Sequence, residues 1–377
     1  MTSKERMAAA MTGARPDRVP VMCQMSIGHM LVASKAAPAA LWHDAGTFVE
    51  VLLALRERYA FDGILVSLHG HAPDWERRVA GRASGPDGDR VRWRSGGATL
   101  FPLDDLPVAQ PDEPSVSPAF TGFDPGSLAD RIGYIPVTQG LRFAIDPGHP
   151  FDAVAAVVGR AGRDFSVHGE VTSPLDYYLD LFGFEQAMVG CVEDPGRAKA
   201  VLERFTAGIV RLAEGLAATG VDAIKISSPF AGAGFLSAAF YASFVLPFES
   251  RIARAVEARG VRAYLHTCGD IHDRLELMAD SGASGIECLD PPPLGRVELG
   301  DAKARVGRRV FIKGNIDPVN VLLTGGPETI RADARHRISV GKPGGRYILS
   351  TACSIAPRTP PANVALLAEA AEEDGAY

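Results

Sequence analysis

The chain has 377 residues, 46% of them apolar and 22% charged, with a formal net charge of −6 at pH 7. That balance suits a globular chain with a sizeable core, argues against a general nucleic-acid binder and gives no reason to expect an anionic membrane surface as partner. No apolar run reaches the roughly 18 residues of a membrane helix, the first 15 residues read as a surface helix and not a secretory signal, and five cysteines are too few for a disulfide scaffold, so a reducing, cytoplasmic setting is expected.

In chain order, short runs rich in Val, Ile and Leu fall at 19–24, 62–68, 165–170, 222–227, 262–267, 284–289, 309–314 and 346–350. Most lack period-two alternation, as do strands buried on both faces. Helical spacing fills the gaps. Residues 47–59 set Phe48, Val51, Leu52 and Leu55 on one face, and 194–219 do the same with Val201, Leu202, Phe205, Ile209 and Leu212. Ser237 can cap a helix reaching about 258, and Thr359-Pro360 suits the N-cap and first position of a last helix ending near 373.

Between the second and third runs, residues 72–164 read as an insertion. Within it 78–81, 90–94 and 99–102 look like hairpin strands, with Pro86-Asp87-Gly88 as a turn. Residues 110–125, rich in Pro, Asp and Ser, are expected to loop over the mouth of the fold. Eight strands alternating with helices predict an α/β fold, a closed (β/α)8 TIM barrel, as a single domain over 1–377 with 72–164 as its insertion. A doubly wound open sheet is the rival, but the segment after the first run, 24–29, holds one glycine, Gly28, where a Gly-rich phosphate turn would be expected.

Chemistry concentrates at the ends of these runs. His266 and Cys268 are two apart, so a strand projects both to the same side at its C-terminal tip, where such barrels place active sites. Cys353 follows the eighth run and can converge on the same rim. One imidazole and two thiolates form a soft set that suits zinc. A carboxylate in a buried strand should avoid the apolar helix layer, so Glu287 is expected to face the mouth as a catalytic residue, a fourth ligand that yields to an incoming thiol. Against this, a His-x-Cys pair arises easily by chance, and buried cysteine is more often a small apolar residue than a ligand. Cys23, Cys191 and Cys288 read as core. His168 and Glu170 end the third run and Ser227-Ser228-Pro229 the fourth, so these can line the mouth, with His168 as the candidate for substrate contact and His69 and His71 similarly placed. Asn315 and Asp317 read either as turn formers or as residues contacting a cofactor or substrate. Arg358 is a basic side chain close to Cys353 that could meet an anionic group.

His266-Thr267-Cys268-Gly269, Gly314-Asn315-Ile316-Asp317-Pro318 and Cys353 with Ile355-Ala356-Pro357 and Thr359-Pro360-x-x-Asn363 resemble the uroporphyrinogen decarboxylase superfamily. Within it they resemble the zinc methyltransferase branch typified by methylcobamide:coenzyme M methyltransferases. Asp17-Arg18-Val19-Pro20-Val21, Ser173-Pro174, Gly183-Phe184-Glu185 and Gly234-Phe235-Leu236-Ser237 extend the resemblance along nearly the whole chain. The order His-x-Cys, Glu, Cys is also similar to the zinc domain of cobalamin-independent methionine synthase, which favours Glu287 as a ligand. The true decarboxylases share an arginine-rich segment after the first strand that grips propionates; here 22–31 contain no arginine. Around 228–233 the branch often carries an acidic residue and this chain has none, so specificity for coenzyme M does not follow.

The resemblance implies methyl transfer between a corrinoid (cobalamin), or another methyl donor, and a thiol activated by zinc on His266, Cys268 and Cys353. The partners it implies are a small thiol or methylated substrate and a corrinoid protein. A homodimer is compatible with it, and neither nucleic acid nor membrane is expected. Two alternatives remain open: a decarboxylase acting on a porphyrin-type or other carboxylic acid without metal, and a non-catalytic relative that only binds a corrinoid protein.

Overall fold

Seven of the eight expected runs pair into one parallel sheet in the computed structural model, which describes residues 1–113, 116–138 and 140–377. The first strand of the sheet is β1 (Gly63–Val66). The insertion contributes β2 (Val79–Gly85), β3 (Gly88–Trp93), β4 (Ala98–Phe101), β5 (Val108–Gln110), β6 (Tyr134–Thr138) and β7 (Leu141–Ala144). The sheet resumes with β8 (Ser166–Thr172), β9 (Ala223–Ser227), β10 (Arg262–Thr267), β11 (Gly285–Cys288), β12 (Phe311–Ile316) and β13 (Tyr347–Thr351). Its order is β1-β8-β9-β10-β11-β12-β13, parallel throughout, with helices between successive strands in a TIM-barrel-like arrangement. Every residue of β8, β12 and β13 is buried, which is why these runs show no alternation.

The first expected run forms no regular strand. It makes single parallel bridges, Val21 to Leu349 and Met25 to Ile355, and the Val21 carbonyl accepts from the Asp62 amide at 2.8 Å. Pro20 removes a donor near the start of this run, which leaves its ladder incomplete.

A small apolar cluster fills the sheet's concave side: Met22, Leu65, Ala223, Tyr264, Phe311 and Ile348 from the strands and the first run, with Met7, Ala10 and Met11 from the helix Ser3–Thr12. That helix lies across the N-terminal ends of the strands. Arg6 anchors it, donating to Asp17 at 2.6 Å and to the fully buried Asp62 at 2.6 Å. The larger cluster lies between the strands and the outer helices.

The helices follow the expected spacing with two informative shifts. Ala45–Arg58 and Pro195–Ala217 match, each capped by an aspartate, Asp44 and Asp194. The helix expected over 237–258 is divided into Ala238–Phe244 and Leu246–Glu257 because Pro247 has no N–H to continue the first ladder. The last helix, Pro361–Asp374, starts one residue late, with Pro360 at the cap and Thr359 outside it. Among the described residues no helix is long and apolar enough to cross a membrane.

Strands β2 to β5 form a four-stranded antiparallel sheet and β6–β7 a separate hairpin, with the expected turn between Gly85 and Gly88. Gly88 has φ 121°, and a Cβ there would lie 2.0 Å from the Phe101 carbonyl oxygen, so only glycine fits. Residues 114 and 115 lie outside the described residues, and none of the described residues of 110–125, the segment expected to loop over the mouth, lines the cavity there. Phe120 instead packs edge-on against Phe182 at 5.3 Å and against Tyr178, because burying that ring on the helix Pro174–Phe182 removes it from water. The mouth is approached by β6 and by Asp105 and Leu106.

Candidate metal centre

Strands β10 and β11 run in parallel with His266 opposite Glu287, so both side chains point to the concave side at the same height. His266 Nδ1 lies 2.9 Å from Glu287 Oε2, and His266 Nε2 lies 3.3 Å from Cys268 Sγ. Cys353, just past β13, brings its sulfur to 3.5 Å from that of Cys268. The three donor atoms of His266, Cys268 and Cys353 all lie within 4.8 Å of one another. Two thiolates on a tetrahedral zinc, each with a bond of about 2.3 Å, sit about 3.8 Å apart. The two sulfurs stand within a few tenths of an ångström of that separation, and the donor set fits the ion. Gly269, at φ 76°, turns the chain directly after Cys268, and its amide donates to Asp290 Oδ2 at 2.6 Å.

Glu287 takes a different place from the one expected of an exchangeable ligand. Its carboxylate lies on the ring nitrogen turned away from the sulfurs, and it pairs with Lys313 Nζ on one flank while Lys225 Nζ stands 4.0 Å off. The register explains this, since Lys313 is opposite Glu287 on β12 and Lys225 lies on β9 beside β10. Lys225 also pairs with Glu170 at 2.9 Å, and Lys313 donates to Ser350 Oγ at 3.2 Å. Two lysines and two glutamates thus form a buried, balanced layer beneath the donors. Burial pushes the Glu287 carboxyl up, but Lys313 and Lys225 outweigh it and hold it well below the usual carboxylate range. An ionised carboxylate only accepts, so Nδ1 carries a proton, which leaves Nε2, the nitrogen facing Cys268, as the one that would hold a metal. Hydrogen bonding from the Cys268 thiol likewise holds Cys353 well below an ordinary thiol.

Above the donors opens a cavity of about 490 Å³. Met25, Ile27, Leu68, Ile135, Val137, Leu179 and Phe230 give it apolar walls, and Glu170, Asp176, Asp180 and Ser227 line it as well. Sequence reasoning missed Lys225, Lys313, Asp176 and Asp180. The signal for the lysines is the one that points to Glu287, a charge inside an otherwise apolar buried strand.

Several expected residues lie elsewhere. His168 does not reach the cavity. It is fully buried beneath the charged layer, its ring nitrogens 3.1 Å from Tyr264 Oη and 3.1 Å from Ser166 Oγ, and burial lowers its pKa to about 3. Asn315 turns to the other side of the sheet, donating to the Leu289 and Val297 carbonyls and accepting from Arg337. Asp317 caps the π-helical turn Pro318–Leu323 through the amides of Val319 and Asn320 at 2.8 Å. Both side chains satisfy local backbone, and neither lines the cavity above the donors. His69 bonds the Pro150 carbonyl at 3.0 Å, His71 packs on Phe48 and Phe143, and Arg358 pairs with Asp104. Cys23, Cys191 and Cys288 are buried as expected.

Residues 144–373, more than half of the chain, match the uroporphyrinogen decarboxylase (URO-D) family. The chain belongs to that family. The matched stretch holds His266, Cys268, Glu287 and Cys353 together with β8 to β13. URO-D relatives carry more than one activity in their names. Methylcobamide:CoM methyltransferase MtaA of Methanosarcina barkeri is 26% identical over 99% of this chain and 98% of its own length. A methylated-thiol–coenzyme M methyltransferase of Methanosarcina mazei is 27% identical over 70% of this chain and 66% of its own. A uroporphyrinogen decarboxylase of Mycobacterium sp. (strain KMS) is 28% identical over 94% and 93%. Among solved structures, a methyltransferase from Methanosarcina mazei superposes with a TM-score of 0.72 at 20% identity, covering 99% of both chains. A B12-independent methionine synthase from Shewanella sp. W3-18-1 gives 0.51 at 14% identity over 94% and 96%, and both likenesses speak to the fold.

Proposed function

We propose that this URO-D family chain is a methyltransferase that moves a methyl group between a corrinoid carried by a partner protein and a thiol substrate, at a zinc centre formed by His266, Cys268 and Cys353. The observation that carries this is the convergence of one imidazole and two thiols within 4.8 Å at the floor of a cavity. The names of the relatives, methylcobamide and methylated-thiol methyltransferases, suggest the donor and acceptor classes. Bound there, zinc would supply a lower pKa for the substrate thiol while leaving its sulfur nucleophilic.

The chain's own residues do the rest. Glu287 orients His266, and Lys313 and Lys225 keep Glu287 ionised. Glu170 Oε2 is buried without a partner in a residue that lines the cavity, and it accepts the thiol proton. The apolar walls exclude water. The sulfur then forms the bond to the methyl carbon, and the donor keeps the electron pair of the bond that breaks. We also read the run 19–25 as closing the parallel sheet into one (β/α)8 barrel, a reading supported by its bridges to β13 and its bond from Asp62.

A porphyrinogen decarboxylase is disfavoured by the lining, which among the described residues holds no Lys or Arg to meet a polycarboxylate. Metal analysis of freshly purified protein tests the proposal: about one zinc per chain is expected, lost in Cys268→Ser/Cys353→Ser. Protein that holds and takes up no zinc, or that converts uroporphyrinogen, contradicts it.

A further inference from the structure

Asp176 and Asp180 lie one turn apart on the helix Pro174–Phe182, on one face, and both line the cavity that holds His266, Cys268 and Cys353. Asp176 is 5% exposed and the Asp180 side chain 4%. Asp176 Oδ2 and Asp180 Oδ1 are buried with no partner within hydrogen-bond distance, although the Ser228 hydroxyl stands near the Asp176 carboxyl and the Tyr134 hydroxyl near that of Asp180. The other Asp180 oxygen accepts from Arg142 Nε at 2.6 Å, so that carboxylate keeps one free acceptor. Buried carboxylate oxygens are normally satisfied, and two unsatisfied ones on one cavity wall call for a donor from outside the chain.

Among the described residues no Lys or Arg lines this cavity, because Lys225 is committed to Glu170 and Arg142 stands outside the lining. An anionic head group would meet two carboxyls, with Arg142, the neighbouring cation, already spent on Asp180; an ammonium would complete both oxygens. Burial and the neighbouring Glu249 hold the Asp176 carboxyl well above its ordinary value, as befits an acid that lacks a cation. Apolar side chains such as Ile135, Val137 and Leu179 line the same cavity, as suits a short hydrocarbon linker.

Resting on the methyl-transfer reading above, we propose that Asp176 and Asp180 select a thiol substrate with a cationic, hydrogen-bond-donating head group, of the aminothiol class, over an anionic one. Calorimetric titration of zinc-loaded protein with 2-aminoethanethiol, 2-mercaptoethanol and 2-mercaptoethanesulfonate, and with their homologues one carbon longer, tests it. The aminothiol should bind about tenfold or more tighter than the sulfonate, the scale of a charge-assisted hydrogen bond. Asp176→Asn and Asp180→Asn should each bring that ratio toward one.

A sulfonate that binds as tightly as the amine, or a ratio unmoved in both variants, overturns the proposal. Should either variant fail to fold, the order measured on the wild-type protein decides alone. Assaying the same thiols with methylcobalamin separates the two claims. Binding that favours the amine without methyl transfer contradicts the function and leaves the selection standing, whereas transfer to all three with equal affinity contradicts only the selection.

Discussion

Cys268 and Cys353 are 3.5 Å apart, and His266 Nε2 turned toward Cys268 gives the pair the look of a ligand set instead of two core thiols. Glu287 sets that direction from the far side of the ring. Glu287→Gln should therefore still bind zinc, with an affinity lowered about 10–100-fold in a chelator-competition titration. An unchanged affinity would remove Glu287 from this role. Lys313→Met should cost about 3–5 kcal/mol in urea unfolding, because Glu287 would lose the partner of its buried charge. His266, Cys268, Cys353 and the inward-facing Glu287 are all legible in the sequence, since residue type and strand position suffice for them. The same burial argument reads Lys225 and Lys313. His168, Asn315 and Asp317 show where position runs out: His168 faces inward but lies a layer too deep because β8 runs on to Thr172, while register and local capping, not sequence spacing, decide which way Asn315 and Asp317 turn. Asp176 and Asp180 were hidden for a related reason, since the face a helix shows a cavity depends on how it docks.

The first helix works as a plug. Met7 and Ala10 are fully buried and Met11 nearly so, against strand residues on the concave side of the sheet. Met7→Ala should lower stability by about 2–5 kcal/mol, read as a shift in the urea midpoint at constant slope. A shift under about 1 kcal/mol would mean that the plug is not part of the cooperative core. The sheet strands are easy to read because burial on both faces makes them uniformly apolar. Elements interrupted by proline are harder. Pro20 reduces one run to single bridges, and Pro247 divides one helix, each through a missing donor. The insertion strands were only approximately legible because they are exposed and short, and their pairing sets their ends.

Over the whole molecule, buried neutral imidazoles set an acid limit. Burial lowers His29 to about 4 and both His71 and His168 to about 3, against an ordinary 6.5. Each contributes fully above pH 6.5; below it the unfolded chain takes up protons that the folded chain refuses, and stability falls as the pH drops toward 4. The loss at pH 5 is roughly 2 kcal/mol per imidazole. Urea unfolding at pH 7 and pH 5 should show it, and equal stability at the two would contradict these burials. The α/β alternation is legible over the whole chain, whereas the approach of β6, Asp105 and Leu106 to the cavity is a matter of tertiary docking that no spacing reveals.

Thiol-dependent demethylation of methylcobalamin decides whether this fold performs the chemistry proposed for it. Zinc-loaded protein should transfer the methyl group to a thiol, lose that activity when stripped with a chelator, and regain it on addition of zinc. No transfer to any thiol in the panel, or transfer unaffected by removing zinc, would contradict it.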